Sequence, residues 1–146
     1  MAVARIHVRA WQEGYRGLIP AGFLEQMRPE DRAPRYTFGR PTGPQTTVAL
    51  RDGSIVGFAT VIDSELAALH VDPSAWRSGI GTALIAHARS AIAATGASEA
   101  HLWLLAGNSR AQRFYERDGW HVTDVQRQDT VWNVTVDEVQ LRRRLP

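Results

Sequence analysis

Residues 65–94 read ELAALHVDPSAWRSGIGTALIAHARSAIAA, and this stretch limits the possible folds more than any other. Residues 66–71 are an apolar run of strand length, and Pro73 ends it because proline has no N–H to give to a ladder. Ser78, Gly79 and Gly81 then lead into a segment in which Ile80, Ala83, Leu84, Ala88, Ala91 and Ile92 recur at helical spacing. His87 and Arg89 fall on the other side, and Gly96 is the C-cap candidate. A strand that feeds a glycine turn into a helix gathers backbone N–H groups at the positive end of the helix dipole, which suits phosphate. Taken alone, the stretch is compatible with several nucleotide folds.

The flanking segments supply a sheet. Residues 3–15 place Val3, Ile6, Ala10, Trp11 and Tyr15 near one helical face, and Leu18, Phe23, Leu24 and Met27 suggest a second short helix. Residues 28–45, rich in Pro, Gly and Arg, read as an exposed connection. TTVALR and SIVGFATVI are β-branched runs joined by Asp52-Gly53, a hairpin signal, and Gly57 within the second marks a bulge or a close backbone approach. Residues 99–105 form a further strand, Asn108 is a good N-cap for a helix carrying Ala111, Phe114, Tyr115 and Asp118 on one face, and Gly119 ends it. Two antiparallel strands close the chain at Arg142. The order is α-α-β-β-β-α-β-α-β-β. The helix that returns to a parallel strand requires a right-handed crossover, and the sheet is mixed with helices on both faces.

Composition narrows the function. The 146 residues include no cysteine, which excludes disulfides, thiolate metal sites and a cysteine nucleophile. No apolar run approaches the roughly 20 residues that span a bilayer. Arginine and histidine interrupt the first residues where a signal segment would need to be apolar, so a cytoplasmic location is expected. All 17 basic side chains are arginines, which raises the pI to 9.7 although the net charge is only +2. They are spread along the chain except at 142–144, so neither nucleic-acid nor membrane partners are expected.

Two segments together resemble a known family. Val71-Asp72-Pro73-Ser74-Ala75-Trp76-Arg77-Ser78-Gly79-Ile80-Gly81 is similar to the acyl-CoA signature of the GNAT superfamily of N-acyltransferases. Asn108-Ser109-Arg110-Ala111-Gln112-Arg113-Phe114-Tyr115-Glu116-Arg117-Asp118-Gly119-Trp120 is similar to its second motif. Ala10-Trp11, Tyr15-Arg16-Gly17 and Pro20 resemble its first helices. The chain departs from the pattern at Trp76, where Gln or Arg is usual, and at Arg77-Ser78, where glycine and a basic residue are common. It also lacks the strand that family members place before the first helix: either the start lies late or the sheet begins one strand short.

The resemblance implies a single N-acetyltransferase domain over residues 1–146, with a mixed, mostly antiparallel sheet. It implies acetyl-CoA as cosubstrate, no metal, and direct attack by a primary amine in a ternary complex. The strand 66–71 would lie along the pantetheine arm through the backbones of Leu69 and Val71, with the Leu69 N–H as oxyanion donor. Trp76, Arg77, Ser78, Gly79, Ile80, Gly81 and Thr82 would surround the pyrophosphate. Asn108, Ala111 and Tyr115 would meet the arm, and Tyr115 would serve as general acid to the thiolate. Glu65 is the candidate base, with His70, Glu13, His7 and bulk solvent as rivals.

Trp11, Tyr15 and Trp103, with Trp132, would line an aromatic acceptor pocket suited to a small molecule or a protein or peptide amine; core packing accounts for Trp11 and Tyr15 equally well. No acidic cluster in the sequence announces a polyamine. The resemblance leaves a homodimer open. Two rival readings are a non-catalytic acyl-CoA-binding regulatory domain and a nucleic-acid module using Arg142, Arg143 and Arg144.

Overall fold

The computed structural model describes residues 1–35, 42–131 and 134–146, excluding the side chains of Arg35 and Val131. The chain enters the fold in a helix, α1 (Ala2–Gly14), with no strand ahead of it among the described residues. Its apolar face buries Val3, Ile6, Ala10 and Trp11 as their spacing predicts, and Val8 with them. α2 (Ala21–Glu25) follows. The next segment is more ordered than its composition suggests. Pro29 opens α3 (Pro29–Arg32) with Glu30 and Asp31 in the first turn, and a 3-10 turn (Ala33–Arg35) continues it. Proline presets the helical φ at the first position and the two carboxylates complement the N-terminal dipole, which outweighs the poor propensities.

Among the described residues six strands form one sheet: β1 (Gln45–Arg51), β2 (Ser54–Ile62), β3 (Glu65–Val71), β4 (Glu99–Leu105), β5 (His121–Val131) and β6 (Val134–Arg144). Their order is β1-β2-β3-β4-β6-β5, and every neighbouring pair is antiparallel except β3 with β4. Asp52 and Gly53 both have positive φ, 52° and 79°, as a tight type I′ hairpin turn requires. α4 (Ile80–Ala93) crosses from β3 to β4, and α5 (Ser109–Arg117) leads from β4 to β5.

Helices cover both faces. On one face α4 and α5 bury Ile85, Ile92, Leu102 and Leu141 completely or nearly so. On the other, α1 packs over Phe58 and Ala68 through Val3 and Ile6, and over Leu105 and Val136 through Val8 and Trp11. Gly57 serves close approach: an added Cβ would lie 3.0 Å from Leu84 Cδ1 and 3.1 Å from the His70 carbonyl. Arg89 also departs from expectation. Its side chain is only 26% exposed, and the guanidinium donates to both carboxylate oxygens of Asp118 at 2.9 and 3.1 Å, tying α4 to the end of α5.

Two irregularities in β3 shape the interior of the sheet. Thr60 pairs with Ala68 and Val61 with Leu66, so Ala67 is an extra residue, a bulge that reverses the alternation of side chains. Leu66 joins the core under α4, whereas Ala68 packs with α1. Second, the only ladder pair between β3 and β4 among the described residues is Glu65 with His101, reinforced by the His101 N–H donating to Ser64 O at 3.1 Å. Beyond that point the sheet is split.

Candidate active site

The split opens a cleft of about 930 Å³, walled on one side by residues 65–71 and on the other by Leu102, Trp103 and Leu104. The Asp72 N–H donates to Val56 O of β2 at 2.7 Å. Backbone direction alternates along a strand, so Leu69 and Val71 turn their N–H groups the other way, to the edge without a ladder partner. Their side chains pack against the core beneath α4. The Val71 carbonyl, on that same edge, accepts from Trp76 Nε1 at 2.8 Å.

The loop from β3 to α4 closes one end of the cleft. Asp72 orders it, accepting from the Ser74 N–H at 2.9 Å and hydroxyl at 2.7 Å, and from Arg9 of α1 at 2.8 Å. Arg77 and Gly79 both have positive φ, 61° and 85°, so the backbone curls immediately before the first turn of α4. Gly79 suits this geometry because it has no Cβ to clash. Gly81 serves a different purpose, since an added Cβ there would lie 3.3 Å from the ring of Phe114 on α5. The Ser78 hydroxyl is turned back onto the Ala75 carbonyl. Ser78 and Ile80 are not on the cleft wall, and Ile80 packs into the core beside Gly57. Trp76, Arg77, Gly79, Gly81 and Thr82 do line the cleft. The Arg110 guanidinium stacks 3.5 Å from the centre of the Trp76 ring, and burial, then the neighbouring Arg77 charge, lowers its pKa.

α5 and α1 face the middle of the cleft. Asn108 Oδ1 accepts from the Ala111 N–H at 3.3 Å, the N-cap that its position predicts, and both residues line the wall. Tyr115 is buried beside Phe114 and Trp120 and reaches the cleft. Burial, and secondly the nearby Tyr15, push its phenol well above the ordinary tyrosine range. Tyr15 is raised likewise by burial and then by Glu138, and its ring lies 4.7 Å from Trp11. His70 turns toward α1 and stacks on His7 with ring centres 4.5 Å apart. Burial, then the charge of Arg32, lowers His70 to about 4.

The far wall carries charge of the other sign. Leu66, Leu102 and Val139 face the core under α4, so their neighbours Glu65, Trp103 and Glu138 face the α1 side. Arg127 pairs with Glu138 across β5 and β6. Its guanidinium sits 4.1 Å from the centre of the Trp103 ring, donates to Glu138 at 2.9 Å and reaches Asp129 at 3.5 Å. Burial raises the Glu138 carboxyl above the usual carboxylate range; Arg127 opposes this and the Asp129 and Glu65 charges add to it.

The model of the acetyltransferase (GNAT) family matches residues 5–120. The chain belongs to the GNAT family. No curated protein sequence matches it. Among solved structures it is similar to a GCN5-related N-acetyltransferase from Rhodopseudomonas palustris, at 18% identity and a TM-score of 0.79 over 98% of this chain and 88% of that one. It is also similar to the PaiA N-acetyltransferase of Thermoplasma acidophilum in complex with coenzyme A, at 19% identity and TM-score 0.73 over 97% and 89%. A third is the ribosomal-protein-S18-alanine N-acetyltransferase of Escherichia coli, at 19% and 0.65 over 97% and 86%. At these identities the likeness establishes the fold.

Within this GNAT fold most of the residues singled out in the sequence meet at one cleft: Glu65, Leu69, Val71, Trp76, Arg77, Gly79, Gly81, Thr82, Asn108, Ala111 and Tyr115, with Trp11, Tyr15 and Trp103. Glu13 is exposed and pairs with Arg16 at 2.9 Å, away from the lining. Trp132 lies outside the described residues. Sequence reasoning missed Arg110, Arg127, Asp129 and Glu138, because only strand register brings the last three together. Residues 142–144, the one arginine cluster in the sequence, are divided between the two faces of the sheet. Alternation along β6 puts Arg142 and Arg143 on opposite faces, where Arg142 pairs with Glu99 and Arg143 donates to the Asp118 carbonyl. No helix among the described residues is long and apolar enough to cross a membrane.

Proposed function

We propose that the chain transfers an acetyl group from acetyl-CoA to a primary amine by direct attack in a ternary complex, its whole length acting as one domain. The split between β3 and β4 carries this reading, because it leaves two N–H groups in line along an open edge inside a cleft that begins at a helix N-terminus. Such an edge accepts an extended amide-bearing arm as it would another strand. Gly79, with nothing within 4 Å of an added Cβ, leaves room for an anion at the first turn of α4, and Arg77 and Arg110 supply positive charge there. The residues therefore fit a pantetheine pyrophosphate.

Acetyl-CoA supplies the activated acyl carbon and a thiolate leaving group. The Leu69 N–H is aimed to hold the carbonyl oxygen as negative charge develops on it. Tyr115, kept protonated by burial, donates its proton to the departing sulfur. Glu65, on the acceptor face of the same strand, accepts the proton lost by the amine, directly or through water. Trp11, Tyr15 and Trp103 border the acceptor side.

Thermal unfolding with acetyl-CoA, joined to a screen of amines that reads free thiol, tests the proposal. A rise in melting temperature and amine-dependent thiol release are expected. No shift at millimolar acetyl-CoA would refute it.

A further inference from the structure

The charges that line the cleft segregate by element. Arg77, Arg110, Arg113 and Arg117 reach it from the α4 loop and α5, whereas Glu65, Asp129 and Glu138 reach it from β3, β5 and β6. Arg127 is the one cation for which hydrogen bonds to that wall are seen among the described residues, and it meets two of its carboxylates, Glu138 and Asp129. Arg32, the other cation on the α1 side of the cleft, acts on His7 and His70. Arg127 does not simply neutralise a neighbour. It rests on the face of Trp103 with carboxylates at its edge, the arrangement that binds alkylammonium and guanidinium groups. The protein has placed its own cation in a cation site that opens on the acceptor cleft.

The part of this wall made by Trp103, Glu138 and Asp129, as distinct from Glu65, would be a poor place for the reacting nitrogen. Carboxylates and an aromatic face stabilise the ammonium form, and the nucleophile must be neutral when it attacks. A cation held there is therefore a second group on the acceptor. We propose that the acceptor is a two-headed amine: one nitrogen attacks beside the Leu69 N–H while the other, charged, sits on Trp103 between Glu138 and Asp129, displacing Arg127. Glu138, Trp103 and Arg127 are then specificity-determining residues, and a small aliphatic diamine is the substrate class. This rests on the acetyl-transfer reading above.

The test compares three amines of one chain length, cadaverine, n-pentylamine and δ-aminovalerate, by thiol release from acetyl-CoA. The kcat/KM for cadaverine should exceed that for n-pentylamine by about tenfold, as expected from one cation–π contact with a carboxylate partner. Glu138→Gln and Trp103→Ala should bring the ratio toward one, and Trp103→Phe, which retains an aromatic face, should keep most of it. Arg127→Ala should lower the KM for cadaverine. Equal use of cadaverine and n-pentylamine, a preference for δ-aminovalerate, or a ratio unchanged in both Glu138→Gln and Trp103→Ala would overturn the inference. So would thiol release with none of the three while acetyl-CoA still raises the melting temperature. Absence of that rise fails the acetyl-transfer reading itself, which keeps the two failures distinct.

Discussion

Phe114 occupies the space that any side chain at Gly81 would need. The Cε2 and Cζ atoms of its ring lie 3.3 and 3.4 Å from the Cβ position of residue 81. The second glycine of the loop motif thus fixes how closely α4 approaches α5, the helix that carries Tyr115. Gly81→Ala should destabilise the fold by about 1–3 kcal/mol, the usual range for overpacking. Adding Phe114→Leu should recover part of the loss in denaturant melts. A single variant as stable as the parent would show that the ring moves aside freely.

Gly79 has the opposite constraint, open space but a φ of 85°. Gly79→Ala should cost about 1–2 kcal/mol from the left-handed backbone alone. Gly79→Glu should in addition abolish acetyl-CoA binding by calorimetry, because it puts a negative charge at the helix N-terminus. Undiminished affinity in the glutamate variant would remove the pyrophosphate from this turn.

Tyr115→Phe leaves the buried ring in place and removes only the hydroxyl that carries the proton. Turnover should fall by about a hundredfold, at the lower end for loss of a general acid, with little change in acetyl-CoA affinity. Single-turnover kinetics that match the parent would assign protonation of the sulfur to another group.

His70 sets a pH dependence of stability. Histidine in the unfolded chain titrates near 6.5, whereas burial and then Arg32 lower His70 to about 4 in the fold. Between these values the unfolded chain takes up a proton that the folded one refuses. Stability present above about pH 6.5 is therefore lost as pH falls toward 4, by on the order of 3 kcal/mol. His7 shifts the same way, through burial, then His70 and Arg32. Glu138, raised instead, acts oppositely, its contribution being lost as pH rises. The melting temperature should drop from about pH 7 to about pH 5, and less so in His70→Gln. Equal slopes for both proteins would place the acid sensitivity elsewhere.

What the sequence disclosed was what short-range chemistry decides. Asp52-Gly53 set the hairpin, Asn108 the cap of α5, and the 65–94 stretch the strand, turn and helix, because each depends on backbone preferences within a few residues. The family resemblance pointed to the backbones of Leu69 and Val71, and the structure puts both on the edge that the split leaves open. Hidden from the sequence were features made by register: Glu65, Asp129 and Glu138 are separated along the chain and meet on one wall only because β6 inserts between β4 and β5. Gly81 was assigned to the ligand because the motif contains it; it lines the cleft, and the sequence did not show that it also packs tightly against Phe114. Arg89 fell on the side away from the apolar face of α4, and helical spacing does not show the end of α5 that comes to meet it there.

The single bridge between Glu65 and His101 also has a consequence for how the molecule avoids self-association. A strand edge left unpaired ordinarily offers other chains a template. At the split the inner edges of β3 and β4 face each other across a gap joined at its base, with α5 alongside. A foreign strand would have to thread between two halves of one sheet instead of docking along its rim. The inner edges of β3 and β4 can thus keep their hydrogen-bonding groups off each other without presenting them on the rim of the sheet.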